Sequence, residues 1–275
     1  MLGKMRKGLC LILVLLLTAC TGNGDVENTD HIPDDTDAET EMADMTHSPD
    51  NADIETGTAN DFITTPMVAT GATHTVVLRS DGSVWTWGSN YYGELGNGRR
   101  GAVPMSTPVQ VQDIPNVTAI AAGRRYTVAL CNDGYVWTWG DNLDGQLGDG
   151  TTTNRTTPVE VQGLIDVMAI SVGGSHIVAL KNDGSVWAWG ANDGGRLGDG
   201  TSTRRTTPVE VQGLTNVTAI AAGGNQTVAL RNDGSVWTWG VNHSGQLGDG
   251  TRDGRNTPVQ VLGPEGIGHL NLGAK

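Results

Sequence analysis

From residue 64 onward the chain repeats itself about every fifty residues, and this repetition limits the folds open to it more than any other feature. A Trp-Gly pair marks each unit, at Trp87-Gly88, Trp139-Gly140, Trp189-Gly190 and Trp239-Gly240. The second unit shows the whole pattern. It runs Gly123-Arg124-Arg125-Tyr126-Thr127-Val128-Ala129-Leu130, Asn132-Asp133-Gly134, then Val136-Trp137-Thr138-Trp139-Gly140. Gly145-Gln146-Leu147-Gly148-Asp149-Gly150, Thr157-Pro158-Val159-Glu160-Val161 and Val167-Met168-Ala169-Ile170 follow. Repeats of this length stack, because no single unit buries its own apolar face.

Each piece has a local reading. Thr-Val-Ala-Leu and Val-Trp-Thr-Trp are short segments rich in strand formers. Between such segments lie Asp81-Gly82, Asp133-Gly134, Asp183-Gly184 and Asp233-Gly234. Asp-Gly between apolar runs predicts a hairpin in which both turn positions take positive φ. Pro-Val-x-Val is a third strand, with proline tolerated at its start. Val-x-Ala-Ile is a fourth. Apolar residues fall on both faces, as with Val136 beside Trp137, so each sheet is expected to be covered on both sides. Leu95, Leu147, Leu197 and Leu247, in the Gly-x-Leu-Gly turns, are expected to tuck inward. Forty glycines beside one phenylalanine accord with an all-β chain of tight turns.

These residues together resemble the regulator of chromosome condensation repeat, whose members form β-propellers, typically of seven blades. The resemblance covers residues 64 to about 273. The Gly-x-x-His start, the Asp-Gly turn, Trp-Gly and Gln-Leu-Gly recur in order. Tyr126 and Gln226 replace the histidine held by His74 and His176, and Glu94 and Arg196 replace the glutamine. The resemblance implies an all-β, propeller-like array of four four-stranded blades, at about 64–116, 117–166, 167–216 and 217–262. Residues 267–273 align with the opening strand of a blade and read as one strand to spare. Four blades admit three arrangements: a tight closed ring, an open arc with two bare apolar faces, or a two-chain ring of eight blades.

The first sixty residues are different in kind. Lys4, Arg6 and Lys7 precede the apolar run Leu9–Leu17, which is too short to span a membrane comfortably. The run ends in Leu17-Thr18-Ala19-Cys20, which resembles the lipobox of bacterial lipoproteins. That resemblance implies a signal peptide over 1–19, lipid attachment at Cys20, export and anchorage in the cell envelope. Residues 20–62 hold thirteen acids and no Lys or Arg. With few large apolar residues they read as a disordered acidic tether. The net charge of −13 therefore belongs to the tether, since residues 63–275 carry fourteen bases against seventeen acids. A near-neutral folded part argues against a nucleic-acid partner. Cys131 would remain as the sole free thiol of the mature chain, and its alignment with Arg79, Lys181 and Arg231 predicts partial exposure.

The sequence points away from enzyme chemistry. Asp149, Asp199 and Asp249 recur at one repeat position, as structural turn residues do. His74 and His176 also share a position and read as hydrogen-bonded within their blades, while His31 and His47 fall in the tether. No spacing suits a metal, and no phosphate loop or nucleophile elbow occurs, so no catalytic residue, metal or cofactor is expected. The surface differs between repeats at Tyr91-Tyr92 and at the paired bases Arg99-Arg100 and Arg124-Arg125. Tyr and Arg are enriched at binding hot spots. With the adjacent Tyr126 they are the candidate partner-binding residues, and the four Trp-Gly pairs are the structural anchors. The expected function is non-enzymatic binding of a protein or glycan at the cell surface. The family resemblance also implies an alternative, nucleotide exchange on a small GTPase.

Overall fold

The structure is a computed structural model, and it describes residues 62–273. The expected signal peptide, Cys20 and nearly all of the tether lie outside the described residues. The described part holds four antiparallel sheets of four strands each. Blade one is β1 (Met67–Thr70), β2 (His74–Leu78), β3 (Val84–Asn90) and β4 (Gly101–Gln110). Blade two is β5 (Val117–Ala122), β6 (Tyr126–Cys131), β7 (Val136–Gly140) and β8 (Arg155–Glu160). Blade three is β9 (Val167–Val172), β10 (His176–Lys181), β11 (Val186–Gly190) and β12 (Arg205–Glu210). Blade four is β13 (Val217–Ala222), β14 (Gln226–Arg231), β15 (Val236–Gly240) and β16 (Arg255–Gln260). In each blade the strands pair in chain order, a plain meander.

The Asp-Gly hairpins differ from expectation in one respect. Only the glycine takes positive φ, at +80° to +83° in all four hairpins. Gly134 N donates to Cys131 O and Cys131 N to Tyr135 O, so the loop has three residues and closes through a glycine bulge. The aspartate holds the turn from outside. Asp133 Oδ1 accepts the Tyr135 amide, and Asp81, Asp183 and Asp233 accept a serine amide in the same way.

The glycine of the Trp-Gly pair is demanded by the close approach of the loop before the hairpin. At Gly140 φ is +107°, and an added Cβ would stand 2.5 Å from Arg125 O. Gly88, Gly190 and Gly240 share that conformation and that approach. The tryptophan before it fills the space between blades. Trp139, Trp189 and Trp239 are fully buried, whereas Trp87 is only half-buried. The inward leucines Leu95, Leu147, Leu197 and Leu247 are fully buried, as expected.

The core lies between blades. One apolar cluster joins blade one to blade two, with Val76, Leu78 and Val84 against Ile120, Ala129 and Trp139. A second joins blade two to blade three, and a third joins three to four. Among the described residues no cluster or strand ladder joins blade four to blade one.

Two expectations are corrected. Cys131 is buried in the junction of blades one and two, because β6 turns this position toward Val117 and the neighbouring blade. Residues 267–273 form no fifth opening strand. They fold back on blade four through single bridges, Leu262 to His269 and Ser235 to Asn271.

Candidate functional site

Blades two, three and four close their last loop with one polar clamp. Asp149 Oδ1 accepts the amide and hydroxyl of Thr151, while its Oδ2 takes Arg155 Nε at 2.7 Å and a second guanidinium nitrogen at 2.6 Å. Asn142 spans the loop, donating to Asp149 and to the carbonyls of Thr151 and Thr153. Burial alone would raise the Asp149 carboxyl, but the Thr151 hydroxyl and Arg155 outweigh it and hold the group below the usual carboxylate range. The turn aspartates' partners Arg155, Arg205 and Arg255 recur at the same spacing, a signal the aspartates alone do not carry.

Blade one lacks this clamp. Asn97 stands in the aspartate's place and Met105 in the arginine's, since Met105 pairs with Gly88 as Arg155 does with Gly140. The freed segment extends instead. β3 and β4 pair on as far as Asn90 and Gly101, and β4 reaches ten residues.

The extended arm carries the candidate residues. Tyr91 is 61 % exposed and packs edge-on against Tyr92, their ring centres 5.0 Å apart at 65°. Tyr92 is set from below, where its amide donates to Glu94 Oε2 at 2.7 Å. From blade two, Arg125 lies 4.7 Å from the centre of the Tyr92 ring and donates to its hydroxyl at 2.9 Å. Tyr91, Tyr92 and Arg100, with Gly101, Ala102 and Asn154, line a groove of about 380 Å³. Asn154 comes from blade two, where its Oδ1 accepts the Asn142 amide. The matching junction of blades three and four has a smaller groove of about 270 Å³, lined by Gly194, Ser202, Gly254 and Asn256 without ring or charge.

The structure thus brings Tyr91, Tyr92, Arg100 and Arg125 together. Arg99 and Arg124 are exposed but do not line the groove. Tyr126 is corrected: it is fully buried, and its hydroxyl lies 3.0 Å from both Gly173 O and His176 O in blade three. A phenol spans the space between blades that a smaller side chain would leave empty.

The histidines are corrected in one detail. His74 bonds across to the next blade, with Nε2 3.0 Å from Thr127 Oγ1, and His176 does so to Thr227 at 3.1 Å. Each threonine spends its hydroxyl proton on a carbonyl, Glu94 O and Arg196 O respectively, so the imidazole Nε2 carries the donated proton. Burial pushes His74 down to about 4 and His176 to about 3, so both are neutral. Among the described residues no three His, Cys, Asp or Glu side chains gather as metal ligands.

Sheets that pack face to face in series, with an Asp-Gly hairpin in each and a buried indole at each of the three junctions, define a propeller-type repeat protein. The chain matches the RCC1-like domain family over residues 22–274, and it belongs to that family. It is 45 % identical to human E3 ubiquitin-protein ligase HERC2 over 85 residues, 31 % of this chain and 2 % of that one. It is 35 % identical to the ultraviolet-B receptor UVR8 of Arabidopsis thaliana over 99 residues, 35 % of this chain and 22 % of that one. Among solved structures it is similar to human WBSCR16, with 26 % identity and a TM-score of 0.65 over 72 % of this chain and 52 % of that one. It superposes on yeast RCC1 (Prp20) with 23 % identity and a TM-score of 0.63, covering 72 % and 48 %. The chain therefore spans about half the length of these solved proteins and far less of the curated relatives it matches.

Proposed function

We propose that this chain is a non-enzymatic binding protein of the bacterial cell envelope, lipid-anchored at Cys20, which grips a protein partner at the Tyr91–Tyr92 groove. The observation that carries the reading is the departure of blade one from its sister blades. At the one junction without the Asp–Arg clamp, two tyrosines, Arg100 and Arg125 meet around a groove of about 380 Å³. Rigid aromatic rings beside guanidinium groups are the chemistry of a hot spot for an acidic or aromatic protein surface. The neighbouring carboxylate, Glu94, is buried and occupied by Ser89 and Tyr92.

The test is affinity capture from envelope proteins and glycans with the full chain, followed by titration of the purified partner. Tyr91→Ala with Tyr92→Ala is expected to weaken binding more than about tenfold, as loss of a hot spot does. Unchanged affinity would overturn the site, and a glycan as the sole captured species would overturn the protein partner. Labelling cells with radioactive palmitate tests the anchor. Incorporation is expected in the parent chain and not in Cys20→Ser.

A further inference from the structure

The place of the Tyr91–Tyr92 groove recurs at the two other internal junctions, and the contrast between them shows which chemical group it suits. Counted from the Trp-Gly glycine, Tyr92 holds the position of Asp144 in blade two and Gly194 in blade three. Counted along the last loop, Arg100 stands where Thr152 and Ser202 do. Asn154, the contribution of blade two, stands where Arg204 and Gly254 do in the blades that follow. The groove at blades three and four is therefore the same place in the repeat, with Gly194, Ser202 and Gly254 for Tyr92, Arg100 and Asn154. Its larger side chain, Asn256, donates its amide to Gly200 O at 2.8 Å and keeps an acceptor, Oδ1. At blades two and three, Arg204 is already engaged, donating to Leu143 O at 3.0 Å.

At blades one and two the free polar groups are of one kind. Asn154 Oδ1 accepts the Asn142 amide at 2.9 Å, so Asn154 has its Nδ2 hydrogens left to offer. The Tyr92 hydroxyl accepts from Arg125 at 2.9 Å, which turns its own proton away from that guanidinium. Arg100 is exposed, enters none of the ion pairs among the described residues, and offers only donors. The one carboxylate of the arm, Glu94, is closed, because its oxygens accept the Ser89 hydroxyl and the Tyr92 amide at 2.7 Å each. The Tyr91 hydroxyl can play either role. The groove thus presents donors and asks for an acceptor.

Charge narrows the acceptor further. Arg125 lies over the Tyr92 ring and within electrostatic reach of Asp141, whose amide donates to Arg125 O. Arg100 is then the lining cation with no acid opposite it, a single unit of charge. A carboxylate carries one negative charge on two coplanar oxygens, which match the guanidinium fork. A phosphate monoester carries about −1.5 to −2 and would keep a surplus.

Resting on the reading above that a protein partner docks here, we propose that the groove takes a carboxylate of that partner. An Asp or Glu side chain is bound by Arg100, with Asn154 Nδ2 and the Tyr92 hydroxyl as further donors and the Tyr91 ring along its stem. The rings supply contact area, and the donors select the group.

The test is fluorescence anisotropy with the full chain carrying Cys20→Ser. The probes are a fluorescein-labelled peptide Gly-Glu-Glu-Tyr-Glu-Gly, the same peptide with Gln for Glu, and the same with phosphoserine for Glu. The Glu peptide is expected to bind at least about tenfold more tightly than the Gln peptide, and to weaken as salt rises from about 0.05 to about 0.5 M. Arg100→Gln is expected to abolish that preference. Asn154→Asp keeps the acceptor for the Asn142 amide, replaces the donor by an acid, and is expected to weaken the Glu peptide by about tenfold or more. Arg252→Gln removes an exposed base on blade four and is expected to change nothing. A Glu peptide that fails to bind, or binds no better than the Gln peptide, overturns the proposal. So do equal losses from Arg100→Gln and Arg252→Gln, and a phosphoserine peptide bound more than about tenfold above the Glu peptide. The groove itself is judged apart: if Tyr91→Ala with Tyr92→Ala weakens a captured partner and Arg100→Gln does not, the groove stands and the carboxylate falls.

Discussion

The imidazole of His74 donates from Nε2 to the hydroxyl of Thr127, 3.0 Å away in the next blade, and His176 repeats the contact on Thr227. Burial lowers the two histidines from 6.5 to about 4 and about 3. In the unfolded chain they take up protons below pH 6.5, while in the fold they stay neutral. The unfolded state therefore binds more protons in that window, and stability falls as pH falls. The contribution is whole above pH 6.5 and declines until the folded-state values are passed. At about 1.4 kcal/mol per unit, each histidine is expected to cost about 1–2 kcal/mol by pH 5. Denaturant unfolding at pH 7.5 and pH 5 measures it. The double variant His74→Gln and His176→Gln is expected to flatten the difference, since Gln226 already holds that position in blade four.

Tyr126 and Ile177 form the one exception to the His–Thr pairing at the internal junctions. The phenol reaches past the threonine's place to the carbonyls of Gly173 and His176, and Ile177 fills the space with methyl groups. Tyr126→His leaves a void and an imidazole facing a side chain without a hydroxyl. It is expected to cost about 2–4 kcal/mol. Adding Ile177→Thr supplies the acceptor and is expected to return about 1 kcal/mol through coupling of the two sites. A double-mutant cycle from urea unfolding reads this. Additive losses would show that the two positions do not act as a pair.

The blades were legible because their signals are local. Trp139-Gly140 and Asp133-Gly134 each fix a turn or a close approach within a few residues, and the period repeats them. What the sequence concealed lies across blades. Tyr126 reads as a neighbour of Arg124 and Arg125, but its burial depends on Ile177 and Gly173 some fifty residues on. Cys131 aligns with Arg79, Lys181 and Arg231, yet it turns into the junction with blade one. The Tyr91–Tyr92 pair was legible as an odd surface, whereas the approach of Arg125 over the Tyr92 ring was not. The hairpin type was misread because Asp-Gly suits two turns. The side chain of Asp133, bonded to the Tyr135 amide, selects the three-residue form.

The clamp between Asp149 and Arg155 holds the last loop of blade two with two short contacts, on an aspartate that is almost wholly buried. Arg155 is partly exposed, so solvent screens part of the attraction. Arg155→Ala leaves the buried carboxylate with only its Thr151 and Asn142 donors and is expected to cost about 1–3 kcal/mol. Met105→Arg with Asn97→Asp would install the same clamp in blade one. It is expected to slow amide hydrogen exchange in residues 91–104 and to leave exchange in blade three unchanged.

Cys131 gives a probe of the junction between blades one and two. Its thiol is buried beside Val117 and Ile120, and burial pushes it up to about 12. A buried, protonated thiol does not attack disulfide or maleimide reagents, because the thiolate is the nucleophile. In a full chain carrying Cys10→Ser and Cys20→Ser, labelling of Cys131 is expected to require opening of this junction. Its rate should rise with urea in step with loss of tryptophan fluorescence, and at pH 8 without denaturant it should lie at least about a thousandfold below that of a free cysteine. Rapid labelling without denaturant would show that blade one separates from blade two in the folded protein.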